Sequence, residues 1–334
     1  MMKRTLLLMS VLFLAFRASD TIHIKHPRHW PKPEHRTSFD SNTVLLGRML
    51  FFDPVLSANN MVSCASCHSP YNSFAHTDHR LSHGIDDRIG TRNAPPLINL
   101  AWRKDFMWDG FAGNIEQQIM FPVDHADEMG SSFDSLPFKL SRTGGYEKFF
   151  LNAFGDEKIT NQRIVSAISQ FVFSLVSANS KYDQMKRGEV HFTEKEWNGY
   201  RFFQQQCSGC HQEPLFTNNR FESNNLPMDT ALRDLGRMRV TGNSSDSLRF
   251  RVPSLRNIEY TYPYMHDGRF MTLWQVMDHY ENSGMLDHGS QFVSETRVDL
   301  MAFLLTLSDK EFVLGNKNGY PSQAFKEKSN ANKQ

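Results

Sequence analysis

The motif C-x-x-C-H constrains this chain more than any other feature. It occurs as Cys64-Ala-Ser-Cys67-His68 and again as Cys207-Ser-Gly-Cys210-His211, and the two copies hold all four cysteines of the 334-residue chain. A cysteine pair alone fits a redox disulfide or half of a zinc site. The adjoining histidine argues against both, because a four-cysteine zinc site leaves His68 and His211 without a role. C-x-x-C-H is the attachment signature of c-type haem. Each thiol adds to one of two vinyl groups on the same edge of the ring, and a two-residue spacer lets both sulfurs reach. The next residue then falls beneath the iron, where imidazole serves as the proximal ligand. The reading is two covalent haems, one on Cys64, Cys67 and His68, the other on Cys207, Cys210 and His211.

The length suggests two domains at roughly 100–200 residues each. Hydrophobic residues make up 40%, enough for ordinary cores, and the formal net charge of +1 offers no footprint for nucleic acid. Lys3 and Arg4 precede an apolar run from Thr5 to Phe16. This reads as a secretory signal peptide over residues 1–18, cleaved near Ala18, although Arg17 is irregular there. The competing reading is a buried N-terminal helix. The run is shorter than the about 20 apolar residues a membrane span needs. No cysteine follows it, which argues against a lipid anchor. The expectation is a soluble, exported protein of the periplasm.

The rest reads as mainly α. Residues 43–52 follow the capping residues Asp40, Ser41 and Asn42 and stop at Asp53-Pro54. Ile164, Val165, Ile168, Phe171, Val172 and Leu175 share one helical face. Thr193 to Glu196 and Thr272 to Gln275 are capping boxes. The first opens a helix with a Trp197, Tyr200, Phe203 stripe, the second one with Leu273, Val276, Met277 and Tyr280. Residues 294–309 form the last clear helix. No alternating run is long enough for a substantial sheet. A polar stretch, 185–193, separates two cytochrome-c-like haem domains, 40–185 and 193–315. Residues 316–334 read as a polar C-terminal tail.

Two haems alone do not make an enzyme; an electron carrier has both irons coordinatively full. The stretches LGRMLFFDPVLSANNMVSCASCHSP, GTRNAPPLINLAW, FMWDG, EQQIMFPVDHADEMG and RVPSLRNIEYTYPYMHDGRFMTLWQVMDHY occur in this order. Together they resemble the bacterial di-haem cytochrome c peroxidases over roughly residues 40 to 310. That family includes relatives of the di-haem enzyme that matures a tryptophan-derived quinone. The resemblance implies a peroxidatic N-terminal haem and a C-terminal haem that receives electrons from a small donor, a cytochrome c or a cupredoxin. It implies hydrogen peroxide as substrate and a calcium ion between the domains. Carried over by position, His68 and His211 are proximal ligands, Glu128 the catalytic carboxylate and Gln118 the distal amide. A carboxylate in a haem pocket can move the proton that O–O cleavage requires. Asp124, Asp127 and His125 lie close enough to compete for that role, and a solvated surface charge is the plain alternative for Glu128. Trp108 matches the tryptophan between the haems, a position equally suited to simple packing. The Asn93 side chain and the Thr261 and Pro263 carbonyls match calcium ligands, an all-oxygen set suited to a hard cation.

Two positions depart from the common family pattern. His76, His79 and His83 follow the first motif, and His83 resembles the histidine that caps the first iron at rest; otherwise it is a surface loop histidine. At the sixth ligand of the second haem, where many members carry methionine, Tyr280 stands as in the quinone-maturing relatives. Met277 lies one turn away, and Met265 and Met271 are further candidates; a core tyrosine is the structural alternative. Axial ligands move haem potentials over about 0.8 V, so the choice separates functions. Three remain open: a peroxidase, an oxidase that uses peroxide on a protein or small molecule, and a plain electron carrier. The donor and the oligomeric state, a homodimer included, are not legible.

Overall fold

The computed structural model describes residues 20–24, 26–286 and 294–331. The expected signal peptide lies outside the described residues. The longer helices are α1 (Ser41–Phe52), α2 (Ile115–Asp124), α3 (Asn161–Ser174), α4 (Glu194–Gln206), α5 (Leu273–Asn282), α6 (Ser294–Leu305) and α7 (Ser322–Ala331). Among the described residues, sheet is confined to two antiparallel pairs, β1 (Thr21–His23) with β2 (Ser38–Asp40) and β3 (Phe221–Glu222) with β4 (Phe250–Arg251). The chain is therefore mainly helical, as its periodicity indicates.

The local start and stop signals are realised. The Asp40 carboxylate accepts the Thr43 N–H at 2.7 Å and caps α1. Both capping boxes form, Thr193 with Glu196 on α4 and Thr272 with Gln275 on α5. On α3 the expected face is buried from Ile164 to Val172. Trp197 departs from its stripe: it is 41% exposed and meets Phe192 edge-on at the rim of the core.

Two hydrophobic clusters result, one built mainly from residues 30–175 and one from residues 182–307. Each is organised by one helix crossing. A Cβ on Gly47 of α1 would lie 1.9 Å from the Ala167 carbonyl oxygen of α3, and one on Gly199 of α4 would lie 1.9 Å from that of Asp299 on α6. Only glycine lets the helices touch so closely. One turn beyond each glycine is a buried phenylalanine, Phe51 or Phe203.

Two elements correct the sequence reading. Helix α2 was not expected, because Pro122 lies inside it. Proline removes one internal hydrogen bond, but the helix ends two residues later and Asn114 caps its start, accepting the Gln117 N–H at 2.8 Å. The segment read as a polar tail is structured through residue 331. It returns to the first cluster as α7, burying Ala324 and stacking Phe325 on Tyr320 at 4.9 Å. Lys328 Nζ donates to Asp53 Oδ2 at 2.8 Å, and the Tyr146 hydroxyl donates to the same oxygen at 2.6 Å. A polar sequence hid this docking because its charges cover the outer face of α7.

Breaking a buried ion pair from one side costs about 3–5 kcal/mol, since the partner charge is stranded. Lys328→Met keeps the aliphatic stem and should lose stability of about that size in denaturant unfolding. Lys326→Met on the exposed face should stay within about 0.5 kcal/mol. Equal midpoints for the two variants would remove the pair from the account of stability.

Candidate active site

Each C-x-x-C-H motif opens onto a cavity beside its helix crossing. The first encloses about 880 Å³ and is lined by Cys64, Cys67 and His68, with Phe51 of α1 and Ile168 and Val172 of α3 behind them. The second encloses about 1360 Å³ and is lined by Cys207, Cys210 and His211, with Phe203 of α4 and Leu300 and Leu304 of α6. The two sets correspond position for position, counted from Gly47 and Ala167 in one half and from Gly199 and Asp299 in the other.

The donor groups suit haem. His68 Nδ1 donates to the Phe74 carbonyl at 2.8 Å and His211 Nδ1 to that of Phe216 at 3.2 Å. Such a bond fixes the tautomer and leaves Nε2 with its lone pair for a metal. Burial lowers both imidazoles to about 4, so they are neutral. Burial also pushes the Cys64 and Cys207 thiols up to about 12 and Cys67 to about 11.

The first cavity gathers most of the expected catalytic groups. Gln118 and Pro122, four apart on α2, present one face to it, and Glu128 and His83 complete the wall. Burial raises the Glu128 carboxyl above the ordinary range, His125 opposes this and Asp127 adds to it. His125 Nδ1 lies 4.0 Å from Glu128 Oε1. His125, Asp124 and Asp127 are not part of the cavity wall. His83 Nδ1 bonds Asp87 Oδ1 at 2.7 Å, leaving Nε2 available. Its ring stacks on His79 at 4.2 Å, and His79 on the buried His76 at 5.8 Å. The His83 loop is fastened to the Glu128 segment: Ile85 N–H donates to the Glu128 carbonyl at 2.7 Å. A Cβ on Gly84 would lie 2.0 Å from the Asp127 carbonyl oxygen.

The second cavity brings Tyr280, Met277 and Met265 together on its wall. Met271 is not among them and is 49% exposed. Burial pushes the Tyr280 phenol up to about 12. The cavity by itself therefore favours the neutral phenol, and a bound cation is what would draw the proton off.

Trp108 is buried in the wall of the second cavity, and its Nε1–H donates to the Asn93 carbonyl at 2.8 Å. Asn93 in turn donates its N–H to the His266 carbonyl at 2.8 Å, joining the two halves. Arg92 reinforces that seam with ion pairs to Asp109 at 2.7 Å and Asp234 at 2.6 Å. The seam puts Asn93 beside the segment that carries Thr261 and Pro263. Among the described residues no three His, Cys, Asp or Glu side chains converge on a metal position. Sequence reasoning missed the pairing of a helix-crossing glycine with a cavity-lining phenylalanine. The shared G-x-x-x-F spacing, Gly47 to Phe51 and Gly199 to Phe203, was the available signal.

Fold and cavities together define a mainly helical protein with the donor set of a c-type cytochrome present twice. The family model for di-haem cytochrome c peroxidase matches residues 41–191. The chain is 35% identical over 268 residues to cytochrome c551 peroxidase of Nitrosomonas europaea, covering 79% of each chain. It is 35% identical over 302 residues to methylamine utilization protein MauG of Methylorubrum extorquens, covering 85% of this chain and 82% of that one. A solved structure of a MauG-like protein associated with microbial copper homeostasis superposes with a TM-score of 0.80 at 28% identity, covering 89% of this chain and 98% of that one. The chain belongs to the di-haem cytochrome c peroxidase family, which implies two c-type haems and peroxidase-type chemistry.

Gly84→Ala should push the Glu128 segment away from the first cavity. A displacement of about 1 Å in a reacting group can cost on the order of 10² in rate. The expected result is a loss of that size in peroxide turnover, with an altered absorption spectrum for the first haem and none for the second. Unchanged turnover and spectrum would show that this contact does not position Glu128.

Proposed function

We propose that this protein is an exported di-haem cytochrome c peroxidase, working in the periplasm and reducing hydrogen peroxide to water. The observation that carries the reading is the pairing of Glu128 and Gln118 on the wall that also holds Cys64, Cys67 and His68. No described helix is long and apolar enough to cross a membrane, which agrees with a protein working in an aqueous compartment. The reading takes two haem domains, 40–185 and 193–315, and is supported by one hydrophobic cluster drawn mainly from residues 30–175 and another from residues 182–307.

His68 and His211 would hold the irons, and His83 in the first cavity and Tyr280 in the second are the residues that would supply a further ligand. When bound, the haem irons supply the one-electron chemistry that peroxide reduction needs. The chain supplies protons and position. The Gln118 amide orients the peroxide by hydrogen bonding. Glu128, a stronger base for its raised pKa, takes the proton from one peroxide oxygen and returns it to the oxygen that leaves as water. The apolar wall formed by Ile119, Val123 and Phe133 keeps bulk water out. Two electrons, arriving singly from a small cytochrome c or cupredoxin, and two protons complete the conversion of one peroxide to two waters. Trp108, between the seam and the second cavity, is the relay between the centres. Calcium on Asn93, Thr261 and Pro263 would hold the seam in register.

A second reading, an oxidase that uses peroxide on another molecule, is favoured by Tyr280 on the second cavity wall and by the likeness to MauG. Turnover of peroxide with a reduced small cytochrome separates the two. An electron carrier has no use for the Gln118–Glu128 pair.

General acid–base help contributes about 10²–10⁴-fold. Glu128→Gln should therefore lower peroxide turnover at least about 10²-fold, with both haems still attached by denatured mass. Activity within a few-fold of wild type would take Glu128 out of the mechanism.

A phenolate stabilises ferric iron, whereas a thioether raises the potential. Tyr280→Phe should change the second haem's spectrum and raise its potential, and Met277→Leu, nearly volume-conserving, should do little. The reverse pattern in spectroelectrochemistry would assign the ligand to Met277 and remove the main support for the oxidase reading.

A further inference from the structure

The interior holds several arginines, and their surroundings differ sharply. Arg256 is fully buried and forms a two-point pair with Asp183, both distances 2.8 Å. Arg92 is held between Asp109 and Asp234. Arg251 on β4 is 2% exposed, yet its Nη1 is buried with no hydrogen-bond partner. Its Nε donates to the Met107 carbonyl at 3.2 Å, and its backbone N–H to that of Trp108 at 2.7 Å. The charged group that acts on the buried Arg103 is Arg251 itself, another cation. Burial lowers Arg251 to about 10, and Asp105 offsets this only in part.

A buried guanidinium without an anion is costly, and chains neutralise such groups or leave them in water. This chain does so for Arg256 and Arg92. At Arg103 and Arg251 it leaves two cations short of negative charge, and Arg251 lines the second cavity. Haem carries two propionate carboxylates, and a guanidinium fork is suited to a carboxylate. We propose that Arg251 anchors a propionate of the haem held by Cys207, Cys210 and His211, with Nη1 as the donor. The assignment rests on that cavity holding a haem. Arg103, buried within electrostatic reach of Arg251, adds a second positive charge near that wall. Because Arg251 is bonded through its backbone to Trp108, the anchor also fixes the tryptophan relative to the second haem.

The test uses the haem-loaded chain and its Arg251→Gln and Arg251→Lys variants, with two attached haems verified by denatured mass. The readouts are the potential of the second haem and its propionate-bending band in resonance Raman. Arg251→Gln should lower the potential, because losing a cation favours ferric iron, and should shift the band. Arg251→Lys should restore most of the potential but not the band, since lysine keeps the charge and lacks the planar fork. An unchanged band in Arg251→Gln, whether or not the potential falls, would overturn the anchor and leave a through-space cation. If Arg251→Gln fails to fold, an unchanged band in Arg251→Lys overturns it equally. Fewer than two haems in the wild-type chain would instead overturn the two-haem reading.

Discussion

Backbone contact between two helices, made once in each half, is what the remaining structure is built around. Gly47 rests on the Ala167 carbonyl and Gly199 on that of Asp299, with no room for a methyl group at either point. A helix pair in such contact has little freedom to slide. Its first turn beyond the crossing is fixed in space, and that turn supplies Phe51 or Phe203 to a cavity wall. The facing helix supplies Ile168 and Val172, or Leu300 and Leu304, at matching intervals. The cysteines and histidine of each motif follow the first helix of each pair. Apolar surface, attachment points and proximal imidazole are thus positioned by one close approach.

On this shared frame the two cavities carry different chemistry. The first has a carboxylate of raised pKa, an amide and an imidazole with its Nδ1 engaged. The second has a phenol, three thioethers and a buried cation, and it borders the tryptophan at the seam. Groups on loops, on α2, on α5 and on β4 make this difference, while the helix crossings stay alike. Divergence of function is carried by wall residues that the packing tolerates, since none of them bears on the Gly47 or Gly199 contacts.

Much of this was legible in the sequence where the signal is local. The C-x-x-C-H motifs, the capping boxes at Thr193 and Thr272 and the buried face of α3 follow from neighbouring residues alone. The correspondence of Gln118, Glu128, Trp108 and Tyr280 with a known family gave a candidate list, and the fold places each of them on a cavity wall. What escaped depended on distant partners. Pro122 masks α2 because proline usually ends a helix. The docking of α7 depends on Asp53, some 275 residues away in sequence. The deficit of negative charge at Arg103 and Arg251 appears only when strand β4 meets the loop before Trp108. Each is a matter of what a residue meets across the fold, which spacing does not encode.

The return of α7 to the first half has a consequence for the order of assembly. The pocket around Cys64, Cys67 and His68 lies near the beginning of the chain, but the cluster behind it takes Ala324 from near the end. As the chain emerges from its N-terminus, the first motif is available for a long interval before the residues that complete its hydrophobic cluster exist. The second motif's cluster draws on residues 182–307 alone, so its last residue precedes Ala324 in the chain. The half that comes out first is the half whose cluster waits longest for its last residue.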